Sequence, residues 1–169
     1  MADSPLSMLH LAFGDSDREL AATRRMLARV PDAHFDWRPH EKSMSLGELA
    51  SHIVDLLWWQ IVTLEWDGID TAKSWPRTAA KSQAELLATF DEKAAALRTT
   101  LANTTEADLA DPWKLSYGSN TIFIEPKADV LRVYGLSHVA HHRGQLTVYL
   151  RMLDVPLPPS YGPTADEQM

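Results

Sequence analysis

The residues best placed to do chemistry are histidines. His138 and His142 lie four apart in the stretch Ser137-His138-Val139-Ala140-His141-His142-Arg143-Gly144-Gln145-Leu146. On a helix, residues at that spacing stack on one face with Cβ atoms roughly 5–6 Å apart, so both rings can reach one ion. His141 offers the alternative i, i+3 pairing with His138. Leu131, Tyr134, His138, His142, Gln145 and Tyr149 form the face that the periodicity turns inward, which puts two imidazoles in a core. A buried polar ring without a partner costs about 1–3 kcal/mol, and two buried cations side by side cost more. A metal ion satisfies both rings at once. His52 is the only other histidine that periodicity sets on the inner side of a long helix, between Leu49 and Leu56. Three imidazoles suit zinc, nickel, iron or copper and leave at least one coordination position open to water or substrate. The competing reading is that these histidines are hydrogen-bonded core residues holding no ion.

Glu48, one turn before His52, and Gln145, one turn after His142, are candidates to fix the ring tautomers from outside. Glu48 has a rival role in a helix cap. Arg143 serves either an ion pair across the helices or an anionic ligand, with the ion pair preferred. Gly144 in mid-helix points to close approach of a neighbouring backbone. Trp58, Trp59 and Trp66 either fill a core or interface or line a pocket. His10, His34 and His40 have no comparable placement and read as surface residues. No serine sits in a strand-turn-helix elbow and no glycine-rich phosphate loop occurs, so any reaction runs through the metal.

The elements that must position these groups are punctuated clearly. Ser4 and Pro5 open a first helix over about 4–30, stopped by Pro31, with Gly14 and Asp15 weakening its middle. Ser45 with Glu48 makes a capping box for a second helix over about 45–66, whose inner face carries Leu49, Ile53, Leu56, Gln60 and Leu64. Ser82 with Glu85 opens a third over about 82–103, with Leu86, Phe90, Leu97 and Leu101 on its apolar stripe. Trp113, Leu115 and Tyr117 alternate with polar residues, Gly118-Ser119-Asn120 supplies a turn, and Ile122 and Ile124 come after it, which predicts a short β-hairpin. The last helix spans about 126–153, bounded by Pro126 and by Pro156, Pro158 and Pro159. A polar tail, 160–169, ends the chain. The expectation is an all-α fold: one domain over 1–169, a four-helix bundle with long crossover connections and a short hairpin before the last helix.

Composition sets the outer limits. The chain has 169 residues, 45% of them hydrophobic and 23% charged, as in ordinary globular proteins. With no cysteine, disulfides and thiolate metal sites are excluded, and an ion must be held by nitrogen or oxygen. A net charge of -7 argues against nucleic acid as a partner. No apolar run reaches the roughly 20 residues of a membrane span, and the acidic N-terminus lacks a secretory pattern, so the expected location is the cytoplasm.

The inward His52 with the tryptophans after it, the block His138-Val-Ala-His-His142-Arg-Gly-Gln145, and the exit Pro156-Leu-Pro-Pro-Ser-Tyr-Gly-Pro163 together resemble the DinB family of damage-inducible-type proteins. The resemblance covers nearly the whole chain. It implies a helical bundle, often a homodimer, in which His52, His138 and His142 hold one divalent ion, commonly nickel or zinc, with iron, copper or manganese as further options. It also implies kinship with metal-dependent enzymes that use low-molecular-weight thiols. The expected function is a metal-dependent thiol S-transferase or hydrolase acting on a small-molecule substrate. The alternatives are a stress-associated metal-binding or storage protein without turnover, and a dimerisation module whose histidines only stabilise the bundle.

Overall fold

The computed structural model describes residues 13–168. The expected opening of the first helix, with Ser4, Pro5, Leu6, Leu9 and His10, lies outside them. Gly14 and Asp15 form a turn, and α1 (Ser16–Leu27) begins after it, with Asp17 and Glu19 in its first turn and Arg24 and Arg25 in its last. That charge order complements the helix dipole. α2 (Leu46–Glu65) starts at the expected capping box: Ser45 Oγ accepts from the Glu48 amide at 3.2 Å and Glu48 Oε2 accepts from the Ser45 amide at 2.6 Å. α3 (Gln83–Asn103) has only half of its expected box, because the Glu85 carboxylate accepts instead from the Lys81 amide at 2.8 Å. α4 (Glu106–Ala110) is a single capped turn before the hairpin.

An all-α fold is overturned by a three-stranded mixed sheet. β2 (Pro112–Tyr117) and β3 (Asn120–Pro126) pair antiparallel around a turn in which Gly118 has φ 57°. β1 (Gly68–Asp70), from the connection after α2, adds in parallel to β2. Three residues with Ile69 as their only apolar side chain carry no readable alternation, which is why composition reads this segment as loop. A Cβ on Gly68 would stand 2.2 Å from the Lys114 carbonyl oxygen, so the tight approach of β1 to β2 needs glycine. The hairpin also departs from strict alternation. A register shift between Leu115 and Ser116 buries Ser116 and leaves Tyr117 on the surface.

The last helix is expected as one regular element and is built in three parts. α5 (Lys127–Val130) passes into a π-helical segment (Leu131–Ser137), which passes into α6 (His138–Met152). Buried Lys127 starts it, donating Nζ to the Leu64 carbonyl at 2.9 Å and so capping the C-terminal end of α2. The buried line runs Leu131, Gly135, Val139, Leu146 and Leu150, with His142 and Arg143 also inside. It is rotated from the expected stripe: Tyr134, His138 and Tyr149 are half-buried and Gln145 is exposed. This line packs with Leu27 of α1, Ile53 and Leu57 of α2 and Leu86, Phe90 and Leu97 of α3 in one core. A second cluster of Val62, Ile69, Trp113 and Val130 joins the sheet to the helices.

Close approach occurs one turn before the histidines and not at Gly144, where a Cβ would meet nothing within 4 Å. At Gly135 a Cβ would stand 2.7 Å from Gln60 Cγ of α2. Gln60 is itself fixed by donating Nε2 to the Leu56 carbonyl at 3.2 Å, so it yields only at a cost. Gly135→Ala is therefore expected to lower stability by about 1–3 kcal/mol through overpacking. Gly144→Ala is expected to raise it by roughly 1 kcal/mol or less through helix propensity. Denaturant midpoints of the two variants check this, and equal midpoints contradict it.

Candidate metal centre

α2 and α6 pack against each other, and the site lies on the edge of their contact. His52 is one turn and a half into α2, past its capping box, on a helix buried along most of its length. His138 is the first residue of α6, directly after the π-helical segment, and His142 is one turn further. π-helical turns recur at functional sites, where the extra residue re-aims the side chains beyond it. One ligand nitrogen from each of His52, His138 and His142 lies within 4.8 Å of the other two. Ring centroids are 4.6 Å apart for His52–His142, 5.3 Å for His52–His138 and 4.6 Å for His138–His142. His142 is buried, whereas His52 and His138 are half-buried. The rotation of the last helix thus sets the cluster at the rim of the core, with one side towards solvent.

The hydrogen bonds fix which nitrogens are free. His142 Nδ1 donates to Gln145 Oε1 at 2.7 Å, which leaves its Nε2 with a lone pair. His138 is hydrogen-bonded to the Tyr134 backbone in a way that favours its protonated form, so a ring N–H meets a carbonyl there. Its Nε2 faces His142 Nε2 at 2.9 Å. Two lone pairs at that distance repel unless a cation lies between them. For metal–nitrogen bonds of about 2.0–2.1 Å, neighbouring ligand nitrogens around one ion stand roughly 3.0–3.4 Å apart. The His138–His142 pair therefore fits a divalent ion with little movement, and the His52 nitrogen, within 4.8 Å of both, closes the set by moving inward.

The electrostatics agree. Burial, with the His142 and His138 rings next, pushes His52 down to about 4 from an ordinary value of 6.5. Burial likewise lowers His138 and His142. All three are neutral at pH 7, the form that binds metal. Between about 6.5 and 4 the unfolded chain takes up protons that the folded His52 refuses, so stability present above pH 6.5 is lost as the pH falls through that window. Metal-free protein is expected to melt at progressively lower temperature from pH 7 to 4.5, and the His52→Gln variant to show a shallower decline. Equal slopes for the two proteins contradict the assignment.

Of the outer partners, Gln145 holds His142 as expected, while Glu48 serves the capping box and lies 3.7 Å from Arg38. His141 is exposed, as are His34 and His40. Arg143 makes the expected ion pair, with Nη2 at 2.7 Å from Glu19 Oε2 of α1. Nη2 also donates to the Tyr161 hydroxyl at 2.5 Å, and Nη1 to Thr23 Oγ1 at 2.9 Å. The proline-rich exit accordingly folds back: Leu157 is buried, and Asp166 and Glu167 pair with Arg151 and Arg25. Trp59 lies tilted against Trp113 at 5.6 Å in the second cluster, and Trp58 and Trp75, packed on the same cluster, meet Trp66 in a trio at 5.6–6.0 Å. Sequence reasoning missed the surroundings of Asp55, one turn after His52. Its carboxylate accepts from the Thr78 amide and hydroxyl and from Lys93 Nζ, bringing the loop before α3 beside the site. Isolated Asp, Thr and Lys residues far apart in the chain gave no pattern by which to find it.

A family model described as the DinB superfamily matches residues 16–146. Two solved structures share the fold: a DinB-like protein from Bacillus subtilis at 17% identity and TM-score 0.67, and one from Bacillus cereus at 22% identity and TM-score 0.68. The first comparison covers 94% of this chain and 99% of the other, the second 89% and 95%. No curated protein matches the chain significantly. No helix among the described residues is long and apolar enough to cross a membrane.

Proposed function

Because the chain belongs to the DinB superfamily, we propose that His52, His138 and His142 hold one divalent metal ion, zinc or nickel, in an enzyme that activates a small thiol or a water. The observation that carries this reading is the meeting of the three imidazoles, with the His138 and His142 Nε2 atoms 2.9 Å apart. When bound, such an ion supplies Lewis acidity that lowers the pKa of a thiol or water at its open position. The protein's own residues do the rest. Gln145 keeps the proton of His142 on Nδ1, and the Tyr134 backbone holds the His138 ring in place. The half-buried His52 and His138 leave the solvent side of the cluster free for a ligand.

The test is to load the protein with cobalt(II) and add simple thiols. A sulfur-to-cobalt charge-transfer band, with thiol-dependent consumption of an electrophile that is abolished by chelation, is the expected result. Uptake of the ion with neither band nor turnover makes the protein a metal carrier and overturns the enzymatic half of the reading.

A further inference from the structure

The loop 71–82 is tied to α2 one turn after His52 and carries one exposed arginine between two anchors. On one side Trp75 packs against Trp58 and Trp66, at 5.7 and 5.6 Å, and donates Nε1 to the Asp70 carbonyl at 3.1 Å. On the other side Thr78 is fixed to Asp55 of α2, its hydroxyl at 2.6 Å and its amide at 3.0 Å. Lys93 of α3 closes the second anchor with Nζ at 2.8 Å from both Asp55 Oδ1 and Thr78 Oγ1. Pro76, with its fixed φ, stiffens the short span between the anchors. Asp55 is three residues after His52, on the same side of α2, so Arg77 is carried to the flank of the histidine cluster. Its charge acts on the His52 ring. Arg77 is exposed and has no carboxylate partner among the described residues.

The half-buried Asp55–Lys93 pair has no other evident use. With Thr78 as a shared partner, it ties the loop before α3 to α2. The charge balance points the same way. Three neutral imidazoles leave both charges of a divalent ion uncompensated; the Asp55 carboxylate, which also acts on His52, is already paired with Lys93, and the arginine adds a further positive charge. A guanidinium carried by an anchored loop on the flank of a metal recognises an oxyanion in a planar, two-pronged way.

We infer that Arg77 is the anion-recognition residue of this site, and that the ligand taken there is a small metal-binding molecule, a thiol in the leading case, that carries a carboxylate at its far end. The inference rests on the metal reading above.

The experiment uses the full chain loaded with cobalt(II), its metal content measured before each titration. A series of ω-mercaptocarboxylates of two to six carbons is titrated against 2-mercaptoethanol, with the charge-transfer band as readout, on the wild type and on Arg77→Gln. At least one mercaptocarboxylate should bind the wild type about tenfold more tightly than the neutral thiol. Arg77→Gln should remove that preference while leaving metal content and the affinity for 2-mercaptoethanol within twofold. Binding of both thiol classes with equal affinity, or an unchanged preference in Arg77→Gln, overturns the role of Arg77 and leaves the metal reading intact. Failure of the wild type to take up cobalt, or to show the band with any thiol, overturns the metal reading itself.

Discussion

Alanine at His52, His138 or His142 should each lower the affinity for a divalent ion by more than about 100-fold. Outer partners of metal-bound histidines typically contribute 10–100-fold, so Gln145→Ala sets the lower rung of the scale and loss of a coordinating ring must exceed it. The order reflects the geometry: Gln145 touches only Nδ1 of His142, whereas the rings face one another across the position an ion would take. His141→Ala and His34→Ala, both at exposed positions, should leave affinity unchanged. Calorimetric titration of metal-free protein checks the series. Wild-type affinity in any one of the three alanine variants removes that residue from the ligand set.

Glu19→Ala should be the most damaging change away from the histidines. Arg143 is 2% exposed and Glu19 15%, so their pair is a desolvated one. Removing the carboxylate leaves the guanidinium with Thr23 Oγ1, the Glu19 backbone carbonyl and the Tyr161 hydroxyl, none of which carries charge. Loss of one partner from such a pair costs about 3–5 kcal/mol. At roughly 2–4 °C per kcal/mol for a domain of this size, melting falls by about 6–20 °C. Arg24→Ala, which breaks a pair with Asp91 that is about half exposed on both sides, should cost less than about 1 kcal/mol. Thermal melts of the two variants make the comparison, and similar losses contradict it. Because Arg143 is the residue directly after His142, Glu19→Ala also loosens the ring beside it.

Much of the site was legible because it depends on local rules. Two rings four residues apart on a helix must stack, and a capped helix with an apolar stripe must set His52 near its inner side. The capping box at Ser45 and Glu48 and the hairpin turn at Gly118 are equally local. What escaped depends on contacts between distant segments. β1 exists only because Gly68 lets its backbone meet Lys114, and three residues of chain cannot announce that. The buried line of the last helix passes through Gly135 and Arg143, a residue with no side chain and one with a charge, so a count of apolar positions placed the stripe one step round. That rotation is what brings His138 to the rim of the core beside the half-buried His52, where a ligand has access. The anchor of Asp55 on Thr78 joins residues 23 apart in sequence through a single carboxylate, which no periodicity encodes.

X-ray absorption of the zinc- or nickel-loaded protein tests the central claim most directly. One ion per chain with three imidazole ligands at about 2.0–2.1 Å, plus one or more light atoms from water, is the result expected. A spectrum with fewer than three imidazoles, or one unchanged when His52 is replaced, contradicts it.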